Sequence, residues 1–156
     1  MKQKIFNIFI TLAVCGLGTF QYLTYTANKD APAKEVEEIV IEPEFFSKNP
    51  EEGLLEALNY YGVKHPNIVY SQAVLETGNF QSKLCKDKNN LFGLYDSYNK
   101  RYYKFDHWTE SILAYIDKVE YKFKGGDYYE FLERLPYAED KNYIYKVKQI
   151  ESNLPP

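Results

Sequence analysis

Cysteine and histidine are scarce in this chain of 156 residues, with two of each, and the scarcity excludes whole classes of chemistry. Cys15 lies inside an N-terminal apolar run, so Cys85 is the one thiol in the part that can fold and no intradomain disulfide can form. His65 and His107 have no Cys or His partner at ligand spacing, which argues against a zinc site, and no cofactor is implied. A basic excess is missing as well. Residues 1–52 hold five Lys or Arg against eight Asp or Glu, and residues 53–156 hold fourteen of each, so the net charge of −3 belongs to the stretch ahead of the domain. A neutral domain lacks the footprint of a nucleic-acid binder. Tryptophan occurs once, but tyrosine occurs 16 times. Phenol rings on that scale can fill a core and still leave hydroxyls on a groove wall, where sugars stack.

At the N-terminus, Lys2 and Lys4 precede an apolar run from Ile5 to Phe20, and no charge follows until Lys29. A short basic start before an apolar run is an export signal, which places the protein outside the cytoplasm. Three outcomes fit: cleavage near Gly16-Leu17-Gly18, lipidation at Cys15 after Leu12-Ala13-Val14, or an uncleaved membrane anchor. Bulky Val14 and the apolar residues after Cys15 speak against lipidation. The uncharged span from Ile5 to Asn28 exceeds the roughly 20 residues needed to cross a bilayer, which favours the anchor. Residues 1–27 are therefore read as signal or anchor. Residues 28–50, acidic and punctuated by Pro32, Pro43 and Pro50, form a tether with too little apolar surface to fold alone. The domain is expected over 51–156.

Within it, Pro50 suits a first helical turn, Leu54, Leu55, Leu58 and Tyr61 mark a buried face, and Gly62 stops the helix. Pro66 opens the next one. Residues 79–90 are polar and turn-prone, and the aromatic stretches flanking Asp96–Lys100 predict a short β-hairpin across 92–105. Trp108, Ile112, Tyr115, Ile116, Val119 and Phe123 predict a helix over 107–123 with Asp106 near its cap. Asp127 caps a further helix closed by Pro136, and Asn142 begins a last one through Ile144, Val147 and Ile150. The class is mainly α (α+β), helices with a short β-hairpin lobe.

The stretch around which these elements are arranged is Asn67–Gly78. Glu76 shares a helix face with Ile68, Val69, Gln72 and Ala73, and Gly78 sits where a left-handed helix stop is expected. A carboxylate in the last turn meets the negative end of the helix dipole and an apolar surround. Both disfavour its ionised form and raise its pKa, as a general acid near neutral pH requires. Alone, Glu-Thr-Gly also suits a surface glutamate at a helix end.

Four segments in one order narrow the choice: Ser71–Gly78, Asn89–Gly93, Phe105–Ser111 and Tyr137–Tyr143. Together they resemble the glucosaminidase domain of bacterial peptidoglycan hydrolases over about residues 51–152. The resemblance implies a lysozyme-like fold and cleavage of peptidoglycan glycan strands after N-acetylglucosamine, with Glu76 as general acid. It also implies that Asn90, Phe92 and Gly93 shape a groove floor, with Gln72 on the same substrate-binding side, and that Tyr137 stands beside the cleaved sugar. The second carboxylate that glycosidases usually need is less evident. Asp96 in the hairpin turn is the candidate, against assistance from the substrate's own acetamido group, and Asp106 suits a helix cap. A lytic transglycosylase and a non-catalytic peptidoglycan-binding module are the competing readings.

Overall fold

A computed structural model describes residues 42–135 and 140–154. The expected anchor, most of the tether and Tyr137 lie outside the described residues. Among the described residues six helices carry the fold: α1 (Pro50–Tyr60), α2 (Pro66–Thr77), α3 (Lys83–Lys88), α4 (Trp108–Lys118), α5 (Tyr128–Arg134) and α6 (Tyr143–Glu151). Between α3 and α4 a two-stranded antiparallel hairpin pairs β1 (Tyr95–Asp96) with β2 (Arg101–Tyr102). Short 3-10 turns precede α1 at Glu44–Ser47 and follow α4 at Glu120–Lys122. The class is thus mainly α with a small β element.

Local chemistry accounts for most boundaries. Asn49 caps α1 by accepting from the Glu52 N–H at 3.1 Å, with Pro50 in the first turn. Asp127 caps α5 by accepting from the N–H groups of Tyr129 and Glu130. Two expectations need correction. The stretch 79–90 contains a helix, α3, because Ser82 accepts from the Cys85 N–H at 3.1 Å and Asn89 closes the other end in the left-handed conformation. Asp106 is not the cap of α4. His107 holds that position, its ring nitrogen facing the Thr109 N–H, and the helix proper ends at Lys118.

The folded body also starts ahead of residue 51. Phe45 is 1% exposed and packs edge-on against Tyr60 and Tyr61, with ring centroids 5.2 and 6.0 Å away. The Trp108 indole N–H donates to the Lys48 carbonyl at 3.1 Å, which ties this segment to α4. Burying an aromatic ring of this size contributes about 2 kcal/mol or more, enough to hold a short segment whose own structure is a single 3-10 turn.

Helix α2 packs against both α6 and α1. Its Ile68, Val69, Gln72 and Ala73 are all buried, as the shared face with Glu76 predicts. At its end the chain takes three successive left-handed residues: Gly78 (φ 57°), Asn79 (φ 56°) and Phe80 (φ 62°). For a side-chain-bearing residue this conformation costs roughly 1–2 kcal/mol. Buried Thr77 offsets that cost. Its hydroxyl donates to the Ala73 carbonyl at 2.6 Å and accepts from the Phe80 N–H at 2.8 Å, and its carbonyl accepts from Ser82 N–H at 2.8 Å. The middle residue of Glu-Thr-Gly is therefore the clamp that turns the chain and fixes where Glu76 ends up. Thr77→Val, equal in shape but unable to bond the buried Phe80 N–H, is expected to lower unfolding free energy by about 1–3 kcal/mol in urea titration.

Candidate active site

Glu76 leaves the last turn of α2 facing the loop 90–94. That loop is tightened by Asn90, which is fully buried. Its Oδ1 accepts from the Leu94 N–H at 2.9 Å, and its Nδ2 donates to the carbonyls of Leu94 at 2.9 Å and Tyr103 at 3.1 Å. The tight loop puts Gly93 in the left-handed region at φ 62°, with its Cα turned toward the carboxyl. A Cβ there would lie 3.4 Å from Glu76 Oε2. Glycine satisfies two demands at once, the backbone angle and the open space beside the carboxyl.

From the other side α6 brings Tyr143, whose phenol and the Glu76 carboxyl alter each other's proton affinity. Behind it lies a row of polar groups in an otherwise apolar core. Gln72 Nε2 donates to the Tyr143 oxygen at 2.9 Å, the Tyr115 hydroxyl donates to Gln72 Oε1 at 2.8 Å, and the hydroxyls of Tyr115 and Tyr128 meet at 3.0 Å. Tyr143, Gln72, Tyr115 and Tyr128 are all buried. Burial pushes the Glu76 carboxyl above the ordinary glutamate value of 4.5, and Tyr143, which favours the charged form, draws it part of the way back. Burial also holds the Tyr143 phenol well above the usual range, with the charge on Glu76 adding to it. A carboxyl whose proton affinity is raised, with a glycine beside it, is suited to donating a proton to a bound molecule.

The sequence-derived candidates take different places around this carboxyl. Gly93 lies against it. Gln72 does not face a groove, contrary to expectation: it is fully buried, and both ends of its amide are engaged within the core. Asn90 and Phe92 are likewise interior, the first holding the loop and the second stacked behind it with its ring 4.6 Å from Tyr115. Both shape the loop from beneath, and Gly93 is the member of the trio next to Glu76. Asp96 is bound up in its own turn. Its Oδ1 accepts from the N–H groups of Tyr98 and Asn99 at 3.1 Å and its Oδ2 accepts from Asn99 Nδ2 at 2.6 Å. Those bonds, the Asn99 amide first, hold its carboxyl below the usual range. Tyr143 was not among the expected site residues, although it ends the fourth segment quoted above. Tyr115 and Tyr128 carried only an apolar signal, as positions on helix faces.

Two kinds of comparison bear on this arrangement. A family model named glucosaminidase and described as mannosyl-glycoprotein endo-beta-N-acetylglucosaminidase matches residues 52–154, a range that contains Glu76, Gly93 and Tyr143. No curated protein and no solved structure matches the chain.

The burial of Glu76 has a measurable stability signature. The folded state keeps the Glu76 proton at pH values where the unfolded chain has lost it. The contribution is therefore favourable below about 4.5, the ordinary glutamate value, and is lost as pH rises through the higher folded value. Glu76→Gln lacks this dependence. The melting temperature of the variant, relative to the wild type, is expected to climb with pH across that window and then level off. A pH-independent difference in paired thermal melts would show that the carboxyl is not held in its neutral form by burial.

Proposed function

The chain belongs to the glucosaminidase family of glycoside hydrolases, and on that footing we propose that it cuts the glycan strands of peptidoglycan after N-acetylglucosamine, with Glu76 as the general acid. The observation that carries the reading is the Glu76 carboxyl itself, its proton affinity raised by burial, beside a glycine that puts no side chain against it. In the reaction its proton passes to the glycosidic oxygen as the bond to the sugar's anomeric carbon breaks. The neighbouring Tyr143 phenol favours the carboxylate so formed and eases proton release.

A second group must meet the positive charge developing on the sugar ring. Asp96 has both oxygens engaged by its turn, and this favours the version in which the acetamido oxygen of the substrate attacks the anomeric carbon before water completes hydrolysis. Tyr137 is assigned by resemblance to the space beside the cleaved sugar. The domain works outside the cytoplasm, tethered by the acidic stretch ahead of Glu44 to an N-terminal anchor or released after cleavage near it.

Product analysis by mass spectrometry after incubating the full chain with purified peptidoglycan tests the proposal. Fragments ending in reducing N-acetylglucosamine are expected, with at least a hundredfold loss in Glu76→Gln. Anhydro-sugar ends would assign a lytic transglycosylase instead, and binding without fragments a recognition module. Gly93→Ala places a methyl group against the acid and strains a left-handed loop, so turnover is expected to fall on the order of tenfold while the stability cost stays near 1 kcal/mol.

A further inference from the structure

We propose that Tyr95 and Tyr102, paired across the hairpin, form a platform on which a sugar ring of the glycan strand stacks beside the bond that Glu76 breaks, which makes them specificity-determining residues. The proposal rests on the glycan-cleaving function set out above. Strand register sets Tyr95 opposite Tyr102, and their rings meet edge to face with centroids 5.1 Å apart and planes at 75°. Both nevertheless remain half in solvent, Tyr95 50% and Tyr102 47% exposed. Successive strand residues point to opposite faces. Leu94 and Tyr103, the next pair along, take the face toward the body: Leu94 is buried, and the Lys118 ammonium lies 5.0 Å from the centre of the Tyr103 ring. The tyrosine pair therefore occupies the opposite, open face. A phenol whose neighbour already fixes its orientation offers apolar contact area at little cost in conformational entropy.

Two connections tie this face to the acid. Gly93, where a Cβ would lie 3.4 Å from Glu76 Oε2, is two residues ahead of Tyr95, so the Cα atoms of Gly93 and Tyr95 are within about 7 Å of each other. The second connection is Asn90. Its Nδ2 donates to the carbonyl of Leu94, just before Tyr95, at 2.9 Å and to that of Tyr103, just after Tyr102, at 3.1 Å. Its Oδ1 accepts from the Leu94 N–H at 2.9 Å. One buried side chain thus clasps both strands at the tyrosine pair and shapes the loop that carries Gly93. Acid and platform keep a fixed spacing, as they must if the ring held on one is to set which bond lies at the other. At the far end of the hairpin Asp96 closes the turn, and Tyr98 in that turn is 91% exposed and outside the pair.

The occupant that fits is a pyranose ring. Its C–H groups make an apolar face that meets the electron-rich face of a phenol, while its hydroxyls stay in water. Stacking of this kind uses the sugar ring and not the charges of the peptide stems.

A cross-strand aromatic pair also stabilises a hairpin, so the test keeps that role intact. Valine retains strand propensity and cross-strand packing without an aromatic face, and phenylalanine retains the face without the hydroxyl. Tyr95→Val, Tyr102→Val, Tyr95→Phe and Tyr102→Phe, with Tyr98→Ser as control, are made in the full chain and checked for folding by circular dichroism. Peptide-free glycan strands of peptidoglycan serve as the probe. They are titrated by calorimetry into each variant combined with Glu76→Gln, and used as substrate for each variant without it. Both Val variants are expected to weaken strand binding and raise KM about tenfold with kcat unchanged, while the Phe variants and Tyr98→Ser stay within about twofold of the wild type. Unchanged binding and KM in both folded Val variants would overturn the platform and leave the proposed function standing. A wild type that self-associates in sedimentation, with monomeric Val variants, would overturn it too and make the pair a contact between copies. If strands bind through the pair but the wild type cleaves none of them, the platform is upheld and the proposed function falls.

Discussion

The docking of α6 on α2 is the constraint to which the remaining parts of the site answer. A carboxyl at the closed end of a helix, among apolar neighbours, is unfavourable when charged unless something bonds it. Tyr143 reaches it from a helix that is remote in sequence, and Tyr143 is itself held by Gln72 one turn back along α2. The same side chains that seat α6 therefore also condition the acid. Packing and chemistry share one seam, so a change that loosens the helix pair also alters proton affinity.

Around that seam the interior polar groups are consistently paired. Among the described residues no buried side-chain nitrogen or oxygen is left without a partner. Asn90, Thr77 and Gln72 each bind backbone or phenol groups with every arm that matters for the loop, the turn and the row. Thr77 follows Glu76, Gln72 lies one turn before it and Asn90 holds the loop of Gly93, and none of the three is exposed to bind a ligand. Polar residues in this core serve to define geometry, at sites where an apolar side chain of equal size would fill the space without specifying an angle.

How far the sequence disclosed this arrangement depends on the range of the signal. Pro66, Gly78 and Asp127 act on backbone within a few residues, and the helix ends they imply are where they were expected. The raised pKa of Glu76 was legible for the same reason, since its helix face and its glycine stop are both local. Helix α3 escaped notice because six mostly polar residues carry little periodicity, and only Ser82 and Asn89 at its two ends mark it. The bond between Gln72 and Tyr143 spans 71 positions, and no pattern in a single chain announces such a pairing. Gln72 could be identified as facing Glu76's side of the helix, but whether that side opened on solvent or on another tyrosine was decided by tertiary packing. The early Phe45 had the opposite problem, a strong apolar residue placed by composition in a polar stretch.

That Phe45 segment gives the fold a defined mechanical order. Tension applied to the chain ahead of Glu44 falls first on a ring wedged against Tyr60 and Tyr61 and on the single indole bond from Trp108 to Lys48. The strap is fastened to the end of α1 and to α4, so a pull from the N-terminal side is taken up there and not directly by the helix that carries the carboxyl.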